Sequence, residues 1–114
     1  MIEIESMEFF AYHGCYPEER AIGTRFLVHL SIETDLDLPA RTDKISDTLN
    51  YQEAYRIVKE QMKTTSHLLE HVASRILDSL YTAFPVITKA TVKVSKMNPP
   101  MGGNIEKVSV SLTR

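Results

Sequence analysis

Apolar residues recur along this chain with two different periods. Over residues 24 to 36, Phe26, Val28, Leu30 and Ile32 alternate with Arg25, His29, Ser31 and Glu33. A period of two is what one buried face imposes on a strand. An earlier strand is predicted from about Ile2 to Tyr12. Its apolar positions shift from Ile2 and Ile4 to Met7 and Phe9, so a bulge is expected near Ser6. Gly14, Pro17 and Gly23 mark an ordered loop between these strands. Asn50, with Glu53 three residues on, resembles a capping box, and Tyr51, Ala54, Tyr55, Val58 and Met62 follow as a helical stripe. Leu69, Val72, Ile76, Leu80 and Phe84 make a second stripe, which Pro85 stops. Two more alternating runs close the chain: Ala90, Val92 and Val94, then Val108, Val110 and Leu112. Asn98-Pro99-Pro100 and Gly102-Gly103 turn between them.

The order strand, strand, helix, helix, strand, strand predicts a single α+β domain over residues 1–114. Two hairpins would join in a four-stranded antiparallel sheet, with both helices on one face. Arg25, His29, Ser31, Glu33, Lys93 and Ser109 would lie on the other face. That face is polar enough to meet water, or a partner subunit across a wet interior.

Composition narrows the function classes. A chain of 114 residues with 43% apolar and 25% charged residues is in the globular range. The net charge of −2 and the scattered basic residues give no footprint for nucleic acid or for an anionic membrane. No apolar run approaches the roughly 20 residues that span a bilayer. The acidic start Met1-Ile2-Glu3-Ile4-Glu5 is unlike a targeting peptide, and the lone Cys15 cannot form an internal disulfide. A cytoplasmic protein is expected. Cys15 reads either as a nucleophile or as a half-buried spectator, and no thiolate-stabilising context favours the former.

Several positions carry candidate chemistry, with a plainer reading beside it. His67-Leu68-Leu69-Glu70-His71 has the H-x-x-E-H spacing of one metalloprotease class. His67 lies at or before the helix start, however, and a catalytic zinc needs a third ligand and an open position. No metal site is therefore expected. Glu70 falls in a first helical turn, where free N–H groups favour a carboxylate; it could equally grip a planar, two-donor heterocycle edge. Lys96 shares the parity of Val92 and Val94, so a lysine on the core-facing side must snorkel or serve a pocket. A partly desolvated amine becomes usable as a base. Glu19 reads by default as a loop charge and Tyr51 as a core tyrosine, while Tyr12 and His13 are ambiguous.

Several strings together resemble the dihydroneopterin aldolase family. They are Tyr12-His13-Gly14 with Glu18-Glu19 and Ile22-Gly23; Asp47-Thr48-Leu49-Asn50-Tyr51; Leu68-Leu69-Glu70-His71; and Lys96-Met97-Asn98-Pro99-Pro100. They stand in the family's order and spacing across essentially the whole chain. The resemblance implies the tunnelling fold, whose subunits close their sheets into an oligomeric barrel, usually a homo-octamer of two stacked tetramers. It implies that Glu70, with Leu69, binds the pterin, and that Lys96, Glu19 and Tyr51 act in catalysis, Tyr51 from a neighbouring subunit. Thr48, Leu49 and Asn50 would line the pterin pocket beside Tyr51. The implied reaction cleaves 7,8-dihydroneopterin with no cofactor, no metal and no Schiff base. An epimerase of the same fold and a non-catalytic small-molecule-binding domain are the rival readings.

Overall fold

A computed structural model describes every residue, Met1–Arg114. Four strands, β1 (Ile2–Ala11), β2 (Thr24–Glu33), β3 (Lys89–Met97) and β4 (Lys107–Thr113), form one sheet in the order β1-β2-β3-β4. All three pairings are antiparallel. Two long helices cross between the hairpins, α3 (Tyr51–Lys63) and α4 (Leu69–Ala83). Two six-residue helices precede them, α1 (Pro17–Ile22) and α2 (Asp37–Thr42), with a 3-10 turn at Ile45–Asp47.

The alternation in β2 does what its period predicts. Phe26, Val28, Leu30 and Ile32 are fully buried and meet Ala90, Val92 and Val94 of β3 on the same face. Ala54, Ile57, Val58 and Met62 of α3, and Val72, Ile76 and Leu80 of α4, close the core from above. Each large side chain removed from water contributes about 1.5–3 kcal/mol before the entropy of ordering it. The register of β1 slips between Ile4 and Met7, where Ser6 adopts a positive φ of 54°. That bulge turns Met7 and Phe9 to the side that Ile2 and Ile4 already face.

Three expectations need correction. The second strand ends at Glu33, short of residue 36, because its partner β3 begins at Lys89 opposite it. The loop between β1 and β2 contains α1, set by Pro17 in its first turn and ended by Gly23 at φ 75°. At the start of α3 only half of a capping box forms. Asn50 accepts the Gln52 N–H at 3.0 Å, while Glu53 turns away to pair with Arg56 at 2.5 Å.

Candidate functional site

At one end of the sheet, a cavity of about 280 Å³ opens between the α1 segment, the start of α4 and the β3–β4 loop. Glu19, Lys96, Leu69 and Glu70 all line it. Each arrives by a separate local rule. Lys96 is on the core-facing parity of β3, opposite Phe26, and its side chain is only 11% exposed. A lysine so placed needs a partner. Glu19 supplies it from α1: its Oε2 takes the Lys96 ammonium at 2.5 Å. Its Oε1 accepts the Tyr16 N–H at 3.4 Å. The hydrogen bond from Lys96 is the main reason that the Glu19 carboxyl sits below the usual carboxylate range; burial opposes it, and Arg20 adds to it.

Glu70 comes from the first turn of α4 and is exposed to the cavity mouth. Leu69 beside it is buried, packed into the core. Pro99 and Pro100 stiffen the opposite wall. Asn98 before them takes a positive φ of 49°, and its N–H donates to the Glu106 carbonyl at 2.7 Å. A second cavity of about 350 Å³, lined by Glu18, Gly23, Thr24 and Asn98, shares Glu19 and Lys96 as its wall. One carboxylate, an ion-paired amine and a second carboxylate around a half-apolar cleft can hold a polar heterocycle and move protons.

The other expected residues gather elsewhere. Thr48, Leu49, Asn50 and Tyr51 line a separate cavity of about 400 Å³ beside the 3-10 turn. Tyr51 is 62% exposed, so it is no core tyrosine. Leu49 is a core residue whose side chain joins the main cluster. A single subunit thus brings Glu19, Leu69, Glu70 and Lys96 together and keeps Thr48 to Tyr51 apart from them.

The H-x-x-E-H spacing does not become a helical pair. His67 precedes α4, and His71 turns its Nδ1 to the Ser66 hydroxyl at 2.7 Å. Cys15 is exposed at the cleft rim, its thiol donating to the His67 carbonyl at 3.3 Å.

Three further residues, Arg20, Arg75 and His13, hold the cleft in shape. Arg20 donates to the carbonyls of Gly14 at 3.0 Å and Cys15 at 2.8 Å. Arg75 donates to the Thr64 carbonyl at 2.7 Å, to the Gln61 carbonyl at 3.0 Å and to the Ser66 hydroxyl at 2.9 Å. His13 is 1% exposed, and its ring meets Phe26 edge-on at 5.2 Å. Burial first, then the charges of Arg75 and Lys96, lower its pKa to about 4. Only the His13-Gly14 pair had any signal in the sequence. Arg20 and Arg75 reach carbonyls only five to fourteen residues away, but no residue spacing names those carbonyls in advance.

The family model described as dihydroneopterin aldolase matches residues 2–113. The dihydroneopterin aldolase of Bacillus subtilis is 37% identical over 114 residues, covering 99% of this chain and 95% of that one. The one from Streptococcus pyogenes is 33% identical, covering 99% and 96%. Among solved structures, E. coli dihydroneopterin aldolase in complex with neopterin superposes with a TM-score of 0.90 at 22% identity, covering 99% of this chain and 96% of that one. The Burkholderia enzyme bound to guanine gives 0.79 at 19% identity, covering 99% and 88%. These two structures share the fold described above.

Proposed function

The chain belongs to the dihydroneopterin aldolase family, aldolases of folate biosynthesis, and from that premise we propose how its residues divide the reaction. The substrate is 7,8-dihydroneopterin, and the products are 6-hydroxymethyl-7,8-dihydropterin and glycolaldehyde. One observation carries the assignment: Lys96 and Glu19, 2.5 Å apart, stand in the same cleft as Glu70.

Glu70 accepts two hydrogen bonds from the amino-pyrimidinone edge of the pterin, with Leu69 beside it. It is exposed at the cavity mouth, in the first turn of α4. The trihydroxypropyl chain then reaches toward Lys96. The side-chain hydroxyl two carbons from the ring loses its proton, and the carbon–carbon bond next to it breaks. The electron pair enters the C=N bond of the dihydropterin ring, and the carbon left on the ring takes a proton back. The substrate is its own electron sink, so the protein supplies positioning and proton transfer. Lys96 moves those protons, and Glu19 fixes where its amine stands.

Tyr51 of the partner subunit completes the site, with Thr48, Leu49 and Asn50 lining the pterin pocket beside it. Support comes from the distinct cavity that these four residues line and from the exposure of Tyr51. The working form is a homo-octamer of two stacked tetramers in the cytoplasm. No helix is long and apolar enough to cross a membrane. Incubation with 7,8-dihydroneopterin should release glycolaldehyde and the pterin product in equal amounts, with or without a chelator, and borohydride should trap no adduct. Loss of turnover on EDTA treatment, restored by zinc, would overturn this mechanism, as would a trapped lysine adduct.

A further inference from the structure

His13 is the most deeply buried titratable side chain outside the proposed chemistry, and its two nitrogens are treated very differently. Nδ1 accepts the Ser66 backbone N–H at 3.0 Å. One residue along, the Gly14 N–H donates to the Ser66 carbonyl at 3.0 Å. Residues 13 and 14 therefore exchange two hydrogen bonds with Ser66, as two strands do, with an imidazole in place of one carbonyl. Nε2 has no partner. A buried polar atom left unpaired costs about 1–3 kcal/mol. A leucine or phenylalanine would fill the space against Phe26 without that cost. What the imidazole adds in return is the acceptor at Nδ1.

The clamp lies between the two arms of the cleft. On one side, Gly14 and Cys15 are held by Arg20, the neighbour of Glu19 on α1. On the other, Ser66 stands four residues before Glu70 and is held in turn by Arg75. The His13–Ser66 contact thus ties the segment that leads to Glu19 to the segment that leads to Glu70. We propose that His13 is a positioning residue, whose Nδ1 sets the spacing between the proton-transfer couple and the pterin-binding carboxylate. This rests on the division of roles proposed above. The neutral ring is the form that the clamp needs, since a protonated Nδ1 cannot accept.

The test compares two polar replacements of similar size. In His13→Asn the side-chain oxygen falls near the place of Nδ1 and keeps the acceptor. In His13→Gln it falls near Nε2 and loses it. Both variants are first shown to be folded by circular dichroism. Single-turnover rate and pterin-product affinity are then measured for each, with Lys96→Ala alongside. A displacement of about 1 Å in a reacting pair costs up to about 10²-fold in rate. The Gln variant should lose turnover on that scale while product affinity changes little, and the Asn variant should recover most of the rate. If the Gln variant does not fold, His13→Leu removes the acceptor and leaves Ser66 with its bonds to Arg75 and His71; it should show the same split between rate and affinity. Equal rates in the Asn and Gln variants, or product affinity falling in step with rate, would overturn the proposal. The Lys96→Ala control judges the underlying assignment separately: if it turns over normally, the role of Lys96 fails first.

Discussion

Glu19 lies so close over Gly14 that a β-carbon on residue 14 would sit 2.6 Å from the Glu19 Cβ and 2.8 Å from its carboxyl carbon. The first of these atoms is anchored to α1 and cannot swing aside cheaply. Gly14→Ala should therefore push Glu19 away from Lys96. Turnover should fall by up to about 10²-fold, with pterin-product affinity nearly unchanged. Single-turnover kinetics and a calorimetric titration read the two quantities separately. A fully active Gly14→Ala protein would mean that the Glu19–Lys96 contact is not needed.

Lys96 is expected to matter to the transition state rather than to ground-state binding. Lys96→Ala should bind the pterin product nearly normally and turn over about 10²–10⁴-fold more slowly. Lys96→Arg should recover little, because a guanidinium does not give up its proton near neutrality. If binding collapses while the fold stays intact, Lys96 is a substrate anchor instead.

Glu70 should show the opposite pattern. Glu70→Ala removes the acceptor for two hydrogen bonds from the pterin edge. Loss of one partner in such a pair typically costs about 2–5 kcal/mol of affinity, much of it from the group left unpaired. Unchanged pterin affinity by calorimetry would return Glu70 to the plain role of complementing the helix dipole.

A site shared between subunits makes a statistical prediction. Lys96→Ala and Tyr51→Phe should each be impaired alone. Mixed oligomers, refolded together in equal amounts, should regain about a quarter of wild-type activity, the fraction of sites drawing both intact residues from different subunits. No recovery, with mixing confirmed by mass spectrometry, would place Tyr51 outside the site.

Acid should weaken the fold before it protonates ordinary carboxylates. His13 has a pKa of about 4 in the folded chain, against 6.5 when unfolded. Above the higher value both states carry a neutral ring, and the stability is fully present. Between the two, the unfolded chain takes up a proton that the folded chain refuses, so stability falls as pH falls. The slope is about 1.4 kcal/mol per pH unit, roughly 3 kcal/mol across the window. The lowered Glu19 carboxyl adds a loss of the same sign at lower pH, as it is protonated. Urea midpoints between pH 7 and 4.5 should follow this slope, and His13→Asn should flatten it.

Wherever a long stretch has one buried face, the sequence pattern is a reliable guide. The strands β1, β2 and β3, the two long helices and even the bulge at Ser6 could be read that way. The helices α1 and α2 could not, because neither buries a residue and so neither carries a stripe. Parity correctly placed Lys96 on the core-facing side, yet nothing local could name its partner, which lies 77 residues away. Tyr51 was assigned to the apolar stripe of α3, but it is the first residue of that helix and projects outward. The roles proposed for Glu19 and Tyr51 come from the family resemblance and not from any local pattern.

The bulge at Ser6 has a consequence for how the molecule keeps company. Within one subunit, a sheet in the order β1-β2-β3-β4 leaves β1 at an edge, with a row of amide and carbonyl groups unpaired. The slip between Ile4 and Met7 divides that rim into two short runs that are out of phase with each other. A passing extended peptide that fits one run is out of step with the other, and is held by half the ladder at most. Only a chain with a matching irregularity can zip along the whole rim. One residue at positive φ thus makes the rim selective: a neighbouring subunit that closed a barrel along β1 would have to match the break, and a stray strand would not.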